Sequence, residues 1–186
     1  MTTVPSARLV KLTPQQLHLR LHEALGLYVE AMHYPPGTEQ QRAPIWAEHT
    51  RRPGWRCAAL LDDEDAMVGV AYGYLGAPRQ WWHEQVHKGL VSALPPDGVR
   101  RWLADYFELT ELHVRPAVQG HGLGEQLLRT LLADPAPASR VLLSTPEGPS
   151  RAWRLYLRLG FQELLRNYRF PSDPRLFAVL GRELPL

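Results

Sequence analysis

The stretch LHVRPAVQGHGLGEQLL, Leu112 to Leu128, decides the fold because it combines a strand, a short loop and a helix. Pro116 turns the chain after the strand, and three closely spaced glycines (Gly120, Gly122, Gly124) lead into an amphipathic helix. Glycines there let the backbone approach a ligand, and the first N–H groups of the helix can bind an anion such as phosphate. The structural alternative is a flexible strand-to-helix turn without a ligand.

Hydrophobic patterning on both sides of this stretch predicts the remaining elements. We expect strands at 8–12, 55–61, 66–75, 106–114, 140–145, 161–170 and 175–183, and helices at 14–32, 43–51, 79–88, 122–133 and 151–159. This order predicts an α/β fold with a mixed sheet. Prolines and glycines interrupt residues 76–105, so that segment is expected to be a mostly irregular insertion between strands 3 and 4.

Length and composition limit the classes of function. A chain of 186 residues suits one domain, 1–186, and a net charge of +2 does not favour a nucleic-acid partner. No apolar run is long enough to span a membrane, and no signal segment is evident, so we expect a cytoplasmic protein. Cys57, the single cysteine, lies in an apolar strand pattern, which favours burial over a catalytic thiol.

Two motifs in this sequence resemble those of the GCN5-related N-acetyltransferases (GNAT). Gln119-Gly120-His121-Gly122-Leu123-Gly124 is similar to their Gln/Arg-x-x-Gly-x-Gly/Ala signature, and AWRLYLRLGF (152–161) is similar to their second motif. The resemblance covers nearly the whole chain. It implies a mixed, mostly antiparallel sheet of six to seven strands flanked by about four helices. In one departure, Pro149 stands where the family often has asparagine, so Ser150 is expected to replace the lost contact.

The resemblance also implies acetyl-CoA as cosubstrate and a set of residues that bind it. The glycine loop would hold the coenzyme diphosphate, and the backbone of the preceding strand end would pair with the pantetheine arm and stabilise the oxyanion. The cofactor-binding residues implied are Leu112, His113, Val114, Gln119, Gly120, His121, Gly122, Leu123, Gly124 and Ser150. No metal is implied.

Two further residues receive catalytic roles from the resemblance. Glu108, six residues before the strand-end Val114, would be the general base, and Tyr156 in the second motif would protonate the leaving thiolate. A salt-bridged carboxylate is the structural alternative for Glu108, and aromatic packing is the alternative for Tyr156. Strict alternation along the strand places Glu111 and His113 on the opposite face from Glu108, unless a bulge intervenes.

The insertion of residues 76–105 lies next to the start of the strand that carries Glu108, so its aromatic residues, together with those of the first helices, suggest an acceptor pocket, with core packing as the alternative. The proposed substrate-binding residues are Tyr28, Tyr34, Trp81, Trp82 and Glu111, with His33, Trp46, His83 and Trp102 as further candidates for its wall.

The segment His83-Glu84-Gln85-Val86-His87 matches the spacing of a zinc peptidase motif. A third ligand is lacking at the expected downstream position, since Leu90 and Ala93 stand where glycine and histidine are required. We therefore treat zinc peptidase activity as a remote alternative.

The sequence thus predicts an acetyl-CoA-dependent N-acetyltransferase acting by direct transfer in a ternary complex. The partner would be a small-molecule or peptide primary amine, with no nucleic acid and no membrane. A non-catalytic acyl-CoA-binding domain is the main alternative. The acceptor's identity, longer acyl donors and a homodimer all remain open.

Overall fold

The strands of the protein form one mixed sheet in a computed structural model that describes residues 6–133, 135–171 and 173–186. They are β1 (Arg8–Lys11), β2 (Arg56–Leu61), β3 (Met67–Leu75), β4 (Phe107–Val114), β5 (Arg140–Pro146), β6 (Gln162–Tyr168) and β7 (Phe177–Glu183). The order is β1-β2-β3-β4-β5-β7-β6. β4 and β5 are parallel, while β1–β2, β2–β3, β5–β7 and β6–β7 are antiparallel. The predicted fold class is confirmed.

Seven α-helices occur within these described ranges, so the prediction of about four is wrong. They are α1 (Pro14–Leu19), α2 (Leu21–Met32), α3 (Thr38–His49), α4 (Trp81–Ala93), α5 (Pro96–Leu103), α6 (Leu123–Leu131) and α7 (Arg151–Arg158). Compared with the five helices that the local pattern predicts, the two additional ones arise because the first predicted helix is broken in two and because α5 lies in the segment expected to be mostly irregular.

The first predicted helix begins as expected and then breaks at Arg20. Thr13 caps α1: its side chain accepts a hydrogen bond from the Gln16 backbone N–H, and the Gln16 side chain accepts one from the Thr13 N–H. Arg20 has φ −112° and ψ 14°, outside the helical range, and its Nε donates to Glu23 Oε2 at 2.8 Å. The predicted helix 14–32 is therefore two helices, α1 and α2.

Residues 76–105 were expected to be a mostly irregular insertion, and this prediction is wrong because most of them are helical. They contain α4, longer than the predicted 79–88, and α5. Pro95 and Pro96 stand at the N-cap and first position of α5, where a helix needs no N–H donor. The two prolines start a helix here rather than exclude one.

The chain divides into two compact units, the first comprising residues up to Tyr74 together with Thr110–Leu131. Its core lies between the helices α1–α3 and one face of β2 and β3, with Leu17, Leu25, Trp46 and Tyr72 fully or almost fully buried. On the other face, a β-carbon at Gly69 would lie 3.0 Å from Leu127 Cδ1, so α6 packs closely on β3. Both faces of this part of the sheet are covered.

The second unit comprises Leu75–Leu109 and Leu132–Leu186. Its core contains residues of α4 and α5 packed with residues of the sheet, including Leu90, Trp102 and Tyr106. A β-carbon at Gly181 would lie 2.8 Å from Trp102 Cζ3, so the indole rests directly on β7. The single-domain assignment of 1–186 stays a prediction.

Two findings concern the predictions about membrane spans and about the single cysteine. In the part of the chain that the structure describes, no helix has the length and apolar character needed to cross a membrane. Cys57 is buried on β2, and burial raises the pKa of its thiol to about 12. The expectation that Cys57 is a packing residue agrees with this environment.

Candidate functional site

The glycine loop in the first unit is open and joins a strand end to a helix start. Gln119 Nε2 donates to the Val114 carbonyl oxygen at 2.9 Å, which fixes the loop against the end of β4. Gly120 and Gly122 have φ of +88° and +75°, values that favour glycine. A β-carbon at Gly122 would meet no atom within 4 Å. α6 begins at Leu123, and its first N–H groups have no acceptor within the helix. The loop can therefore receive an anionic group from solvent.

The other residues predicted for this loop lie beside it. His121 is half-buried, with Nδ1 3.1 Å from the Val118 carbonyl oxygen, and Gly124 is half-buried in the first turn of α6. The Arg115 N–H donates to the Val68 carbonyl oxygen at 2.9 Å, which ties the chain leaving β4 to β3. Leu112 and Val114 are half-buried on β4.

A group of aromatic and charged side chains forms around Tyr28 in the first unit. The ring centroids of Tyr34 and Trp46 lie 5.2 and 5.5 Å from that of Tyr28. The edge-on ring of His113 lies 5.0 Å away, and His113 Nε2 is 2.5 Å from Glu111 Oε2. Burial, and next the nearby Glu111 carboxylate, raise the pKa of Tyr28. The structure thus brings together three predicted acceptor residues, Tyr28, Tyr34 and Glu111.

Glu108 lies in the second unit, buried on β4 opposite Leu142 of β5, with 3% of its surface exposed. Tyr106, two residues earlier, occupies the same face by strand alternation. Burial, and next the Glu108 charge, raise the pKa of Tyr106. Tyr106 Oη is 2.9 Å from His83 Nδ1.

The two neighbouring tryptophans at the start of α4 lie in different environments. Trp82 is half-buried: its Nε1 donates to Ser144 Oγ at 3.0 Å, and its ring lies 6.2 Å from that of Tyr106. Trp81 is 55% exposed and contacts Phe170 with a centroid distance of 5.9 Å. The structure therefore does not place the two indoles in one group.

Tyr156 and Ser150 both belong to α7 and its cap. Ser150 Oγ accepts a hydrogen bond from the Trp153 N–H at 3.0 Å, as the predicted helix start requires. Tyr156 is buried, 5% exposed, and its ring lies 5.4 Å from that of Phe161. The Ser150 hydroxyl thus serves as the N-cap of α7.

The two histidines of the zinc-like motif lie on one face of α4. Their rings are nearly parallel, at 6°, with centroids 6.4 Å apart, and His83 Nδ1 is engaged by Tyr106. Across residues 6–133, 135–171 and 173–186, no group of three potential metal ligands comes together. α4 is nevertheless a well-formed helix, contrary to the expectation of a short one.

Sequence reasoning missed two residues that contact candidate site residues: Tyr106, which contacts His83, and Ser144, which contacts Trp82. The hydrophobic pattern presents Tyr106 only as the start of a strand, although period-two alternation from Glu108 places both on one face. Ser144, on β5, carries no local signal, because its contact with Trp82 spans 62 residues of chain.

Comparisons with known proteins agree with one another. The sequence model described as an acetyltransferase (GNAT) domain matches residues 59–163. The GCN5-like protein acetyltransferase Rv2170 of Mycobacterium tuberculosis is 49% identical, covering 96% of this chain and 98% of that protein. N-alpha-acetyltransferase 40 of Saccharomyces cerevisiae is 28% identical over 85% of this chain and 58% of its own length.

Solved structures share the fold. The crystal structure of an acetyltransferase from Thermus thermophilus superimposes with a TM-score of 0.61 at 20% identity, covering 97% of this chain and 99% of the other. At that level of identity the similarity shows the fold alone.

Proposed function

The chain belongs to the GCN5-related N-acetyltransferase family, and we propose that it transfers the acetyl group of acetyl-CoA directly to a primary amine. The amine nitrogen would attack the thioester carbonyl, the carbon–sulfur bond would break, and the thiolate would leave as a protonated thiol. No enzyme-bound intermediate is required, in keeping with the burial of Cys57 and the high pKa of its thiol.

The observation that carries this proposal is the open glycine loop at the start of α6. Positive φ at Gly120 and Gly122 and the open space at Gly122 leave backbone within reach of a ligand. The N–H groups at Leu123 and Gly124 and the helix dipole favour a diphosphate there. Residues 119–124 are the proposed coenzyme-binding loop, and the backbone of residues 112–114 is proposed to pair with the pantetheine arm.

Glu108 is proposed as the general base. Its side chain lies on a central strand, where burying a carboxylic acid is costly, and 3% of the residue's surface is exposed. In this role Glu108 takes a proton from the acceptor ammonium, which frees the nitrogen lone pair for attack.

Tyr156 is proposed as the general acid that protonates the leaving thiolate. After attack the nitrogen still carries two protons, and the one it loses as the amide forms returns the phenol to its starting state. The Tyr156 phenol lies on α7, the helix held in place by the Ser150 cap. A buried phenol is neutral at physiological pH and so retains a proton to donate.

The acceptor is proposed to be a cationic amine recognised by the group around Tyr28. Rings with centroids 5.0 to 5.5 Å apart, next to the Glu111 carboxylate, suit an ammonium through cation–π and ionic attraction. Trp82, anchored by Ser144, is proposed as a further acceptor-binding side chain. Because the yeast relative is named an N-alpha-acetyltransferase, peptide N-termini belong among the acceptors tested.

Titration calorimetry with coenzyme A, followed by a thiol-release assay with acetyl-CoA and a panel of amines, tests the proposal. The panel contains small primary amines, amino acids, antibiotic amines and short peptides with free N-termini. We expect saturable binding of coenzyme A and release of thiol that depends on one amine class. Binding without turnover on any amine would favour the acyl-CoA-binding alternative, and the absence of binding would overturn both.

A further inference from the structure

Tyr106, the residue immediately before β4, is held in one position by a close backbone contact. A β-carbon at Gly76 would lie 1.9 Å from Tyr106 Cζ and 2.3 Å from its Oη, so the ring covers Gly76 directly. The Gly76 N–H also donates to the Tyr106 carbonyl oxygen at 3.0 Å. Since the ring packs against backbone, its hydroxyl has little freedom to move.

The hydroxyl of this fixed ring contacts a buried histidine. Tyr106 Oη is 2.9 Å from His83 Nδ1, and the two rings stack at 21° with centroids 5.9 Å apart. His83 is 6% exposed, and burial lowers the pKa of its imidazole. A neutral imidazole at pH 7 can accept the phenol proton at Nδ1 and carry its own proton at Nε2.

Few other ionisable groups influence this pair. On α4, the exposed Glu84 acts to raise and the exposed His87 to lower the pKa of His83. On β4, Glu108 is the charge that acts most strongly on Tyr106, followed by Glu84. Glu108 and Tyr106 thus share one face by strand alternation, and the Tyr106 hydroxyl contacts the buried imidazole of His83 on α4.

We propose that His83 is a positioning residue that passes the proton taken up by Glu108 to water, through the hydroxyl of Tyr106. This inference rests on the proposed function of Glu108 as the base. His83 is the first histidine of the His-x-x-x-His segment, and this role for it requires no metal. This role also answers a problem posed by burial, because a base 3% exposed must return its proton to solvent after each turnover.

The proton passes from Glu108 to water in three transfers. Protonated Glu108 donates to Tyr106 Oη, directly or through one water. The Tyr106 hydroxyl proton passes to His83 Nδ1, and the resulting imidazolium loses its Nε2 proton to water. Glu108 returns to the carboxylate, and the pair resets when the hydroxyl turns back toward Nδ1 and the imidazole exchanges its proton with water.

The variant His83→Asn separates this role from simple packing. The asparagine side-chain oxygen lies near the place of Nδ1, so it can still accept from the Tyr106 hydroxyl, but it carries no proton onward. We expect kcat to fall by roughly 10-fold, within the range of single proton-transfer contributions. The KM for acetyl-CoA and the melting temperature should stay unchanged, and the solvent deuterium isotope effect on kcat should rise. His87→Asn, an exposed change on the same helix, is the matched control and should keep wild-type kcat.

Chemical rescue gives a second, independent readout. In His83→Ala, added imidazole should restore kcat in a saturable manner with a pH dependence that follows free imidazole, while His87→Ala should not respond. In the wild-type protein, ¹⁵N NMR should show His83 protonated at Nε2 and not at Nδ1 between pH 6 and 8.

The outcomes distinguish the two proposals. Wild-type kcat in His83→Asn, lack of rescue by imidazole, or an Nδ1-protonated ring would overturn the relay and leave the acetyltransferase proposal standing. A wild-type protein that acetylates no amine would overturn both. A loss of activity in His83→Asn accompanied by a large drop in melting temperature would assign His83 a structural role only.

Discussion

Glu111 and His113 stand two residues apart on β4, and their Oε2 and Nε2 atoms are 2.5 Å apart beside the ring of Tyr28. The contact fixes the tautomer of His113 and holds a carboxylate at the edge of the aromatic group. Burying two ionisable side chains on a strand is costly unless they are paired with each other or with a ligand. The two residues pair with each other, and we propose that Glu111 also contacts the acceptor amine.

Replacing Glu111 with glutamine should weaken acceptor binding. The amide keeps the shape and can still contact His113, but it removes the negative charge that attracts an ammonium. We expect the acceptor KM to rise roughly 10-fold, the equivalent of about 1.4 kcal/mol, with the acetyl-CoA KM unchanged. Steady-state kinetics measure both constants. Glu39→Gln, in the first turn of α3, is the control, and an unchanged acceptor KM in Glu111→Gln would contradict the assignment.

Replacing Gly122 with alanine should lower both stability and coenzyme A affinity. A β-carbon at Gly122 has open space around it, so the cost is that of placing alanine at φ +75°, about 1 kcal/mol or more. Urea unfolding and titration calorimetry measure the two effects. Gly26→Ala is the matched control, because Gly26 lies within α2 with open space around it. There alanine should stabilise the protein by about 0.5–1 kcal/mol, and equal effects of the two changes would contradict the role of the loop.

Replacing Glu108 with glutamine should remove the general base while keeping the buried shape. We expect kcat to fall by roughly 100-fold or more at neutral pH, with the acetyl-CoA KM retained. Activity should recover partly at high pH, where the acceptor amine deprotonates in solution. A pH profile of kcat/KM from 6 to 10 measures this. Glu163→Gln, an exposed change on β6, is the control, and a profile identical to wild type in Glu108→Gln would assign the base elsewhere.

His49 should make the first unit less stable in mild acid. His49 is the last residue of α3, and its Nδ1 lies 3.0 Å from Tyr72 Oη. Burial, and next the nearby Arg52 guanidinium, lower its pKa to about 4. The ordinary value is about 6.5. The unfolded chain therefore binds more protons between pH 6.5 and 4, and stability falls as the pH drops through this window.

The difference in the free energy of unfolding between pH 7 and pH 5 should shrink by roughly 1–2 kcal/mol in His49→Gln. Urea unfolding at the two pH values measures it. His22→Gln, an exposed change on α2, should leave the difference as in wild type. An unchanged pH dependence in His49→Gln would mean that the imidazole titrates normally in the folded protein.

Helix starts and turns that depend on neighbouring residues could be predicted from the sequence. Thr13 with Gln16 forms the expected helix cap, Ser150 caps α7, and the glycines after Pro116 give the expected strand–loop–helix turn. Such signals lie within a few residues of one another, so the sequence alone is enough to interpret them.

Features that depend on distant contacts could not be predicted. Pro95 and Pro96 look like breakers in the local pattern, and the same residues are also compatible with the first positions of a helix, so the pattern alone does not decide between the two. Trp81 and Trp82 are adjacent tryptophans, and nothing in the local pattern predicts that the Trp82 indole donates a hydrogen bond to Ser144, 62 residues away. The pairing of His83 with Tyr106 likewise spans 23 residues.

The burial of Cys57 also has a practical consequence for enzymology. A thiol with a pKa of about 12 is almost entirely un-ionised at the pH of a chromogenic disulfide assay, and its sulfur is shielded by the strand around it. The folded protein should therefore give no background colour, so each equivalent of thiol titrated reports one acyl group delivered. A slow rise in signal without added amine would instead monitor unfolding.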